Sequence, residues 1–436
     1  MKIFILNTVT LLIVLGISPS LMSEELNLNR AIDLALAYAP EIKIASSELR
    51  AQESKQISSW LDLGPRLSAT FNGAWHDGKQ SFKLGERELL IKDDRTALGT
   101  IKLTQPLSGL FALTQNARIE SKQKSVKELN LQLLQSQTAF KIAQLYLNVQ
   151  QAHKMWEVSK SSLEGRLAQK KDGELLLQAG RIHYGDFLKL DLAVSQARSS
   201  EAQATAEKNS AFYSLIELIG HQDPQSIELS SFEIPPDISE SELPSLSECL
   251  SIAFPNRIEK MQSLKGREIA SIARTAAFAK FFPEINFFAQ IDKNFGTPSM
   301  GAKESSKMLG LNLSWNFWNN GSDLFSARQA QEQFFKSNYQ EQLVDQKIKL
   351  ELINVLSSLK SSRQSYRFAQ KSIEQADESY RIENLKFKTG KSSATELILA
   401  EAAKTNAHAQ IVVAYTELKL REFKLQQALG KNRPEL

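Results

Sequence analysis

The spacing of apolar positions divides the chain into long helical stretches and a few short alternating ones. From Leu28 to Leu61 apolar residues recur every three or four positions, the period of a helix with one buried face, until Gly64-Pro65 breaks the run. The period then drops to two. Leu67, Ala69, Phe71, Gly73 and Trp75 alternate with Ser68, Thr70, Asn72 and Ala74, which predicts a strand over about 65–76. Beyond a polar loop near 76–94, Ile101 and Leu103 alternate with Thr100, Lys102 and Thr104, and a second strand is expected over about 96–106. No proline occurs from Leu107 to Asp223. Within that run Val126, Leu129, Leu133, Phe140, Ala143 and Leu147 keep a three–four spacing with Ser136 in the missing place, the pattern of a long helix packed as a coiled coil. A helix of roughly 60 residues is on the order of 90 Å long and needs partners of matching length.

The same plan occurs twice. A shift of 218 positions carries Leu28, Ile32, Ala35 and Pro65 to Leu246, Leu250, Ala253 and Pro283. A shift of 210 carries Ile101, Leu103, Ala117 and Arg118 to Leu311, Leu313, Ala327 and Arg328, and later Gly180, Phe187 and Gly220 to Gly390, Leu397 and Gly430. A constant offset that changes only between the two strands means two structural repeats whose hairpin loops differ by eight residues. In the second copy Ile285, Phe287, Ala289 and Ile291 alternate with polar neighbours, as do Leu309, Leu311, Leu313, Trp315 and Phe317, so strands are expected over about 283–293 and 308–318. Gly180 and Gly390 interrupt the helical runs at equivalent places and read as reversals between antiparallel helices. The organisation is a first structural repeat over 24–220, a proline-bearing linker over 221–244, a second structural repeat over 245–430 and a short C-terminal tail over 431–436.

The N-terminus adds a compartment. Lys2 precedes an apolar run from Ile3 to Ile17, followed by Ser18, Ser20 and Ser23, and residues 1–23 are expected to be a secretory signal peptide. No later apolar stretch reaches the roughly 20 residues of a membrane helix. The predicted strands, each about 9–11 residues, have the length that crosses an outer membrane when tilted, and Trp75, Trp315 and Trp318 stand near their ends as membrane-interface aromatics would. Four strands do not close a barrel, so several chains would have to share one.

Composition mostly excludes. With 53 Lys+Arg against 49 Asp+Glu in 436 residues the charge balance selects no partner, and no nucleic acid is expected. One cysteine, Cys249, rules out a disulfide framework, and it aligns with Ala31 of the first copy as a small packing residue. The five histidines form no zinc-binding pair, so neither metal nor cofactor is expected. Thr389-Gly390-Lys391-Ser392 lacks the earlier glycine of a phosphate loop, since position 385 is Leu385. No enzyme is indicated.

The duplicated order of helix, proline-started hairpin and long helix pair resembles the TolC family of outer-membrane efflux proteins. So do Gln105-Pro106-Leu107 at the strand exit, the Ala179-Gly180 and Thr389-Gly390 reversals, and Ile219-Gly220 and Leu429-Gly430 at the repeat ends. The resemblance covers about residues 26–430. It implies a mainly α protein with a small β part, assembled as a homotrimer with a twelve-stranded outer-membrane β-barrel continued by a periplasmic α-helical barrel. It further implies a passive exit duct for small molecules or polypeptides, working with a periplasmic adaptor (membrane fusion protein) and an inner-membrane pump, in efflux or type I secretion. Gly180 and Gly390 would lie at the adaptor-docking tip.

The family's pore-narrowing carboxylate follows the reversal glycine by six residues. Glu396 takes that place here, and Asp186 the matching place in the first copy. Like charges crowded into a ring repel and bind divalent ions. Both residues also satisfy the ordinary preference for acids in the first turn of a helix, which needs no gate. Some members lock neighbouring helices with a tyrosine and an arginine where this chain has Phe387 and Ser392, leaving Arg181, Lys388 or Lys391 as possible cationic partners. The rival reading is a soluble periplasmic coiled-coil adaptor or interaction protein, which would explain export and long helices but not two membrane-length hairpins.

Overall fold

The computed structural model of the chain describes residues 24–85, 87–221, 227–230, 233–235, 243–295 and 303–435. The expected signal peptide and part of the linker lie outside the described residues. The first repeat opens with strand β1 (Glu24–Leu26), helix α1 (Leu28–Tyr38) and helix α2 (Pro40–Leu61). Strands β2 (Arg66–Trp75), β3 (Gln80–Leu84), β4 (Arg87–Lys92) and β5 (Arg95–Pro106) follow, then helices α3 (Leu110–Gln178) and α4 (Tyr184–Ile219). After β6 (Ile227–Leu229) the second repeat runs through α5 (Leu246–Asn256), α6 (Ile258–Ala277), β7 (Glu284–Asn294), β8 (Ser305–Ser314), α7 (Ser322–Lys388) and α8 (Ala394–Ala428). The chain is thus mainly α with a small β part. Among the described residues no helix is long and apolar enough to cross a membrane.

The duplication extends to capping chemistry. Asn27 caps α1 by accepting from the Arg30 amide at 2.9 Å, and Ser245, 218 positions later, caps α5 by accepting from the Glu248 amide at 3.3 Å. Helices α4 and α8 both end on a left-handed glycine, Gly220 (φ 68°) and Gly430 (φ 86°). Each glycine seats the end of its own repeat's first helix. A Cβ at Gly220 would stand 2.2 Å from the Tyr38 ring, and one at Gly430 2.8 Å from the backbone of Asn256, the residue 218 positions after Tyr38.

The polypeptide packs into two compact units that cut across the repeats, because the long helices run through both. One comprises residues up to 39, 141–238 and 368–416; the other comprises 40–140, 239–367 and 417–436. In the first unit, α1 buries Leu28, Ala31, Ile32 and Ala35 and packs on α4. Within the linker's described residues β6 pairs in parallel with β1, and the Tyr146 hydroxyl is 3.1 Å from the Leu26 carbonyl and 2.6 Å from Ser230 Oγ.

In the second unit Cys249 and Ala253 pack with Ile348, Leu352, Val355 and Ala428, so the lone thiol fills space in a core. Ser136, the break in the heptad, is buried and donates to the Lys431 carbonyl at 3.4 Å. The unit's sheet has the order β2-β5-β7-β8, antiparallel throughout, and the β5–β7 pairing joins the two repeats. Two details depart from the sequence reading. The segment read as a polar loop over 76–94 contains the β3–β4 hairpin, which the mixed Gln80–Leu84 and Arg87–Lys92 segments do not advertise. Strand β8 spans Ser305–Ser314 rather than 308–318; apolar alternation continues through Trp315 and Phe317, but pairing with β7 ends where β7 begins, at Glu284.

Candidate functional site

Three regions carry the residues singled out by the sequence: the sheet faces, the helix reversals and the first turns after them. On the sheet, every residue of the edge strand β2 is exposed, with Leu67 at 72% and Phe71 at 67%. On the other edge Leu309, Leu311 and Leu313 of β8 are equally bare. A row of exposed leucine and phenylalanine on a folded sheet is not a surface made for water. Trp75 ends β2 at one end of the sheet, while Trp315 directly follows β8 at the other and donates from Nε1 to the Phe281 carbonyl at 3.3 Å. Trp318 lies four residues beyond β8, exposed, in a stretch that also bares Phe317 and Phe325.

The two reversals share one backbone device. Gly180 (φ 70°) donates to the Leu177 carbonyl at 2.9 Å and Arg181 to Leu176 at 2.8 Å; Gly390 (φ 73°) donates to Phe387 at 2.9 Å and Lys391 to Lys386 at 2.8 Å. Both are left-handed helix ends that use a glycine's freedom at positive φ. Around them Leu176, Leu190, Phe387, Ala394 and Leu397 form a buried cluster. Phe387 is therefore a core residue with no hydroxyl to offer.

Glu396 is held locally. Its Oε2 accepts from the Ser393 amide at 2.8 Å, and Ser393 Oγ accepts from the Glu396 amide at 3.2 Å, which is a capping box at the start of α8. Ser392 Oγ stands 2.8 Å from the same Glu396 oxygen and 2.9 Å from Glu383 Oε2. With one proton, that hydroxyl satisfies one carboxylate at a time. The Ser393 amide, above all, holds the Glu396 carboxyl below its ordinary value, with the two serine hydroxyls helping.

Asp186 has a different neighbour from those weighed in the sequence. Lys189, three residues on, pairs with it at 3.0 Å and also donates to Thr395 Oγ1 at 3.2 Å. The i,i+3 spacing was the available signal. Lys388 pairs with Asp172 at 3.2 Å, while Arg181 and Lys391 are exposed. None of the three pairs with Asp186 or Glu396 among the described residues. Among the described residues no group of three or more His, Cys, Asp or Glu side chains is placed to hold a metal ion.

Residues 265–431 match the family model for outer membrane efflux proteins. The match falls on the second repeat from α6 onward. Nearly the whole chain shares its fold with solved outer membrane channel structures. CusC, studied for folding and transmembrane channel formation, aligns with a TM-score of 0.80 over 94% of this chain and 93% of its own, at 17% identity. VceC, an outer membrane protein of Vibrio cholerae, aligns at 0.75 over 92% of this chain and 96% of its own, at 16% identity. The CmeC outer membrane channel of Campylobacter jejuni gives 0.75 over 93% and 86%, at 15% identity. No curated protein sequence matches the chain. The resemblance drawn from the duplicated plan thus meets the family model over residues 265–431 and the fold over nearly the whole chain.

Proposed function

We propose that the protein is a passive exit duct of the outer membrane, built by three copies of the chain and conducting small molecules or polypeptides delivered by an inner-membrane pump through a periplasmic adaptor. The observation that carries this reading is the sheet. Its four antiparallel strands leave β2 and β8 as opposite edges that run in opposite directions, so β8 of one copy beside β2 of the next continues the same antiparallel order. Backbone edges are not tolerated in lipid, and sharing a barrel removes both. Three copies make twelve strands, an allowed count. The bare leucines and phenylalanine then face hydrocarbon, with tryptophans at both ends of the apolar band.

The signal peptide expected over residues 1–23 supports export from the cytoplasm, and the sheet supports the outer membrane as destination. The helix reversals at Gly180 and Gly390 form the adaptor-docking tip, and Asp186 and Glu396 are the candidates that narrow the pore there. The deciding experiment is the protein mass of the complex extracted in mild detergent from outer membranes, measured by light scattering corrected for bound detergent. About three mature chains supports the shared barrel; a single chain recovered from the soluble periplasm overturns it.

A further inference from the structure

The apolar face of the four-stranded sheet is charged at one end only. Residues paired in register share a face, and alternate residues of a strand lie on opposite faces. The pairs Ala69–Ile101, Ile101–Ile291, Ile291–Lys307 and Gly99–Lys293 therefore put Lys293 and Lys307 on the leucine-bearing face, and the pair Trp75–Arg95 adds Arg95. All three cations are exposed. The four strands contain two acids, Glu284 and Asp292, and both fall on the other face. There Asp292 accepts from Thr100 Oγ1 at 2.7 Å and Gln290 Nε2 at 2.9 Å. Among the described residues no ion pair takes Arg95, Lys293 or Lys307; at that end of the sheet the printed pair is Lys79 with Asp93. The helices join the sheet at Arg66, Pro106, Glu284 and Ser314, whereas the cations stand within three residues of the opposite, loop-bearing strand ends. Aromatic rings floor the patch. Phe295 lies over Gly99, where a Cβ would be 2.9 Å from its ring, with Phe71 5.9 Å away and Lys293 Nζ 5.5 Å above.

A cation on a lipid-facing strand is costly at mid-membrane and tolerated at headgroup depth, where its long stem lies on apolar surface and its head reaches the interface. That tolerance is the same at both interfaces. An excess of cations at one end, with no acid on the same face, asks for an anion on one side of the membrane. We propose that Arg95, Lys293 and Lys307 form a rim site for an outer-leaflet lipid whose headgroup carries phosphate groups, with Phe71 and Phe295 against the apolar part beneath. The site rests on the duct reading, which turns this face to lipid and the loop end outward. Its chemistry suits phosphate: the Arg95 guanidinium offers a planar fork of donors, and the two lysines supply point charges. Lys307 stands opposite Ile291, about 7 Å along the sheet from Lys293, and Arg95 precedes Gly99 by about 14 Å. Stems of several ångströms let such groups converge on one headgroup that bears more than one negative charge. Three copies of the chain would carry three such sites around the ring.

The probe is lipid A, a glycolipid with two phosphate groups, mixed into phosphatidylcholine nanodiscs that hold the full-length protein; the lipid retained on release is counted by native mass spectrometry. The parent should keep lipid A in preference to phosphatidylcholine, less so as salt is raised. Replacing all three cations by Arg95→Gln, Lys293→Gln and Lys307→Gln should weaken retention about fivefold per cation, roughly a hundredfold together. Lys293→Arg with Lys307→Arg keeps the charge and should bind as the parent does. Lys102→Gln, which removes a cation from the other face, should also change nothing, so that loss of net charge is separated from loss of the site. A triple glutamine variant that holds lipid A as tightly as the parent overturns the proposal. Equal retention of lipid A stripped of its phosphates does the same, since acyl chains alone would then explain the binding. A chain recovered as a soluble monomer would sink the duct reading and the site with it, whereas a membrane-seated trimer with no preference for lipid A sinks the site alone.

Discussion

Glu396 joins an observed and a proposed role in one carboxylate: it caps α8, and in the proposed duct it is a candidate to narrow the pore. Substitutions separate the two. Glutamine fills a capping box about as well as glutamate but carries no charge, so Glu396→Gln with Asp186→Asn should leave assembly intact, raise single-channel conductance and weaken block by divalent cations. Unaltered conductance and block would remove both residues from the constriction. Glu396→Ala should in addition loosen the first turn of α8, seen as faster amide exchange. Because the folded-state pKa is depressed, the cap's contribution is present above the free carboxyl's value, about 4.3, and is lost as pH falls through the lower folded value. Exchange at Ser393 and Glu396 should therefore quicken only in strong acid, and in Glu396→Gln this acid dependence should vanish. The reversal and repeat-end glycines also differ from each other. A Cβ at Gly390 meets nothing within 4 Å, whereas one at Gly430 meets the Asn256 backbone at 2.8 Å. Gly390→Ala should cost about 1 kcal/mol of backbone strain, and Gly430→Ala about 3 kcal/mol or more; equal shifts in the thermal midpoint would show that the contact with Asn256 does not set the difference.

At the scale of elements, what the sequence made legible is what repeats or punctuates. Glycine and proline marked the ends of both repeats because positive φ and a missing amide are local demands, independent of what packs around them. The period-two runs located β2, β5, β7 and β8 because apolar residues alternate with polar ones along each. The β3–β4 hairpin was invisible for the opposite reason: Gln80, Ser81, Phe82 and Lys83 show no face to read. Lys189 stands at the i,i+3 spacing that brings it onto Asp186, whereas the cations beside the glycines point elsewhere. Ser136 shows how a pattern's exception carries information. Leucine there would complete the heptad, yet the hydroxyl holds the tail at the Lys431 carbonyl. Ser136→Leu is expected to free residues 431–435 to proteases rather than stabilise the coiled coil, and a tail that stays protected would argue against that role.

For the whole molecule, the sheet is decisive because it is incomplete. Pairs of cysteines on β2 and β8 should form disulfides between copies and give a ladder ending at three chains on a denaturing gel; bridges confined to one chain would mean that β2 and β8 meet within a monomer. The junction already inside the chain deserves comparison with the one this experiment seeks. In β5–β7 the second strand of one repeat pairs with the first strand of the next, and β8 against a neighbour's β2 would repeat that relation with no peptide link between them. Every joint of the ring is then of one kind, and half of them happen to be covalently tethered. A gene for a single repeat would have had all it needed to close the same ring from six subunits. Fusion of two such genes would have halved the number of parts to be assembled and freed the two halves to diverge, which is how Tyr184, Phe187 and Gly185 come to stand opposite Ala394, Leu397 and Thr395.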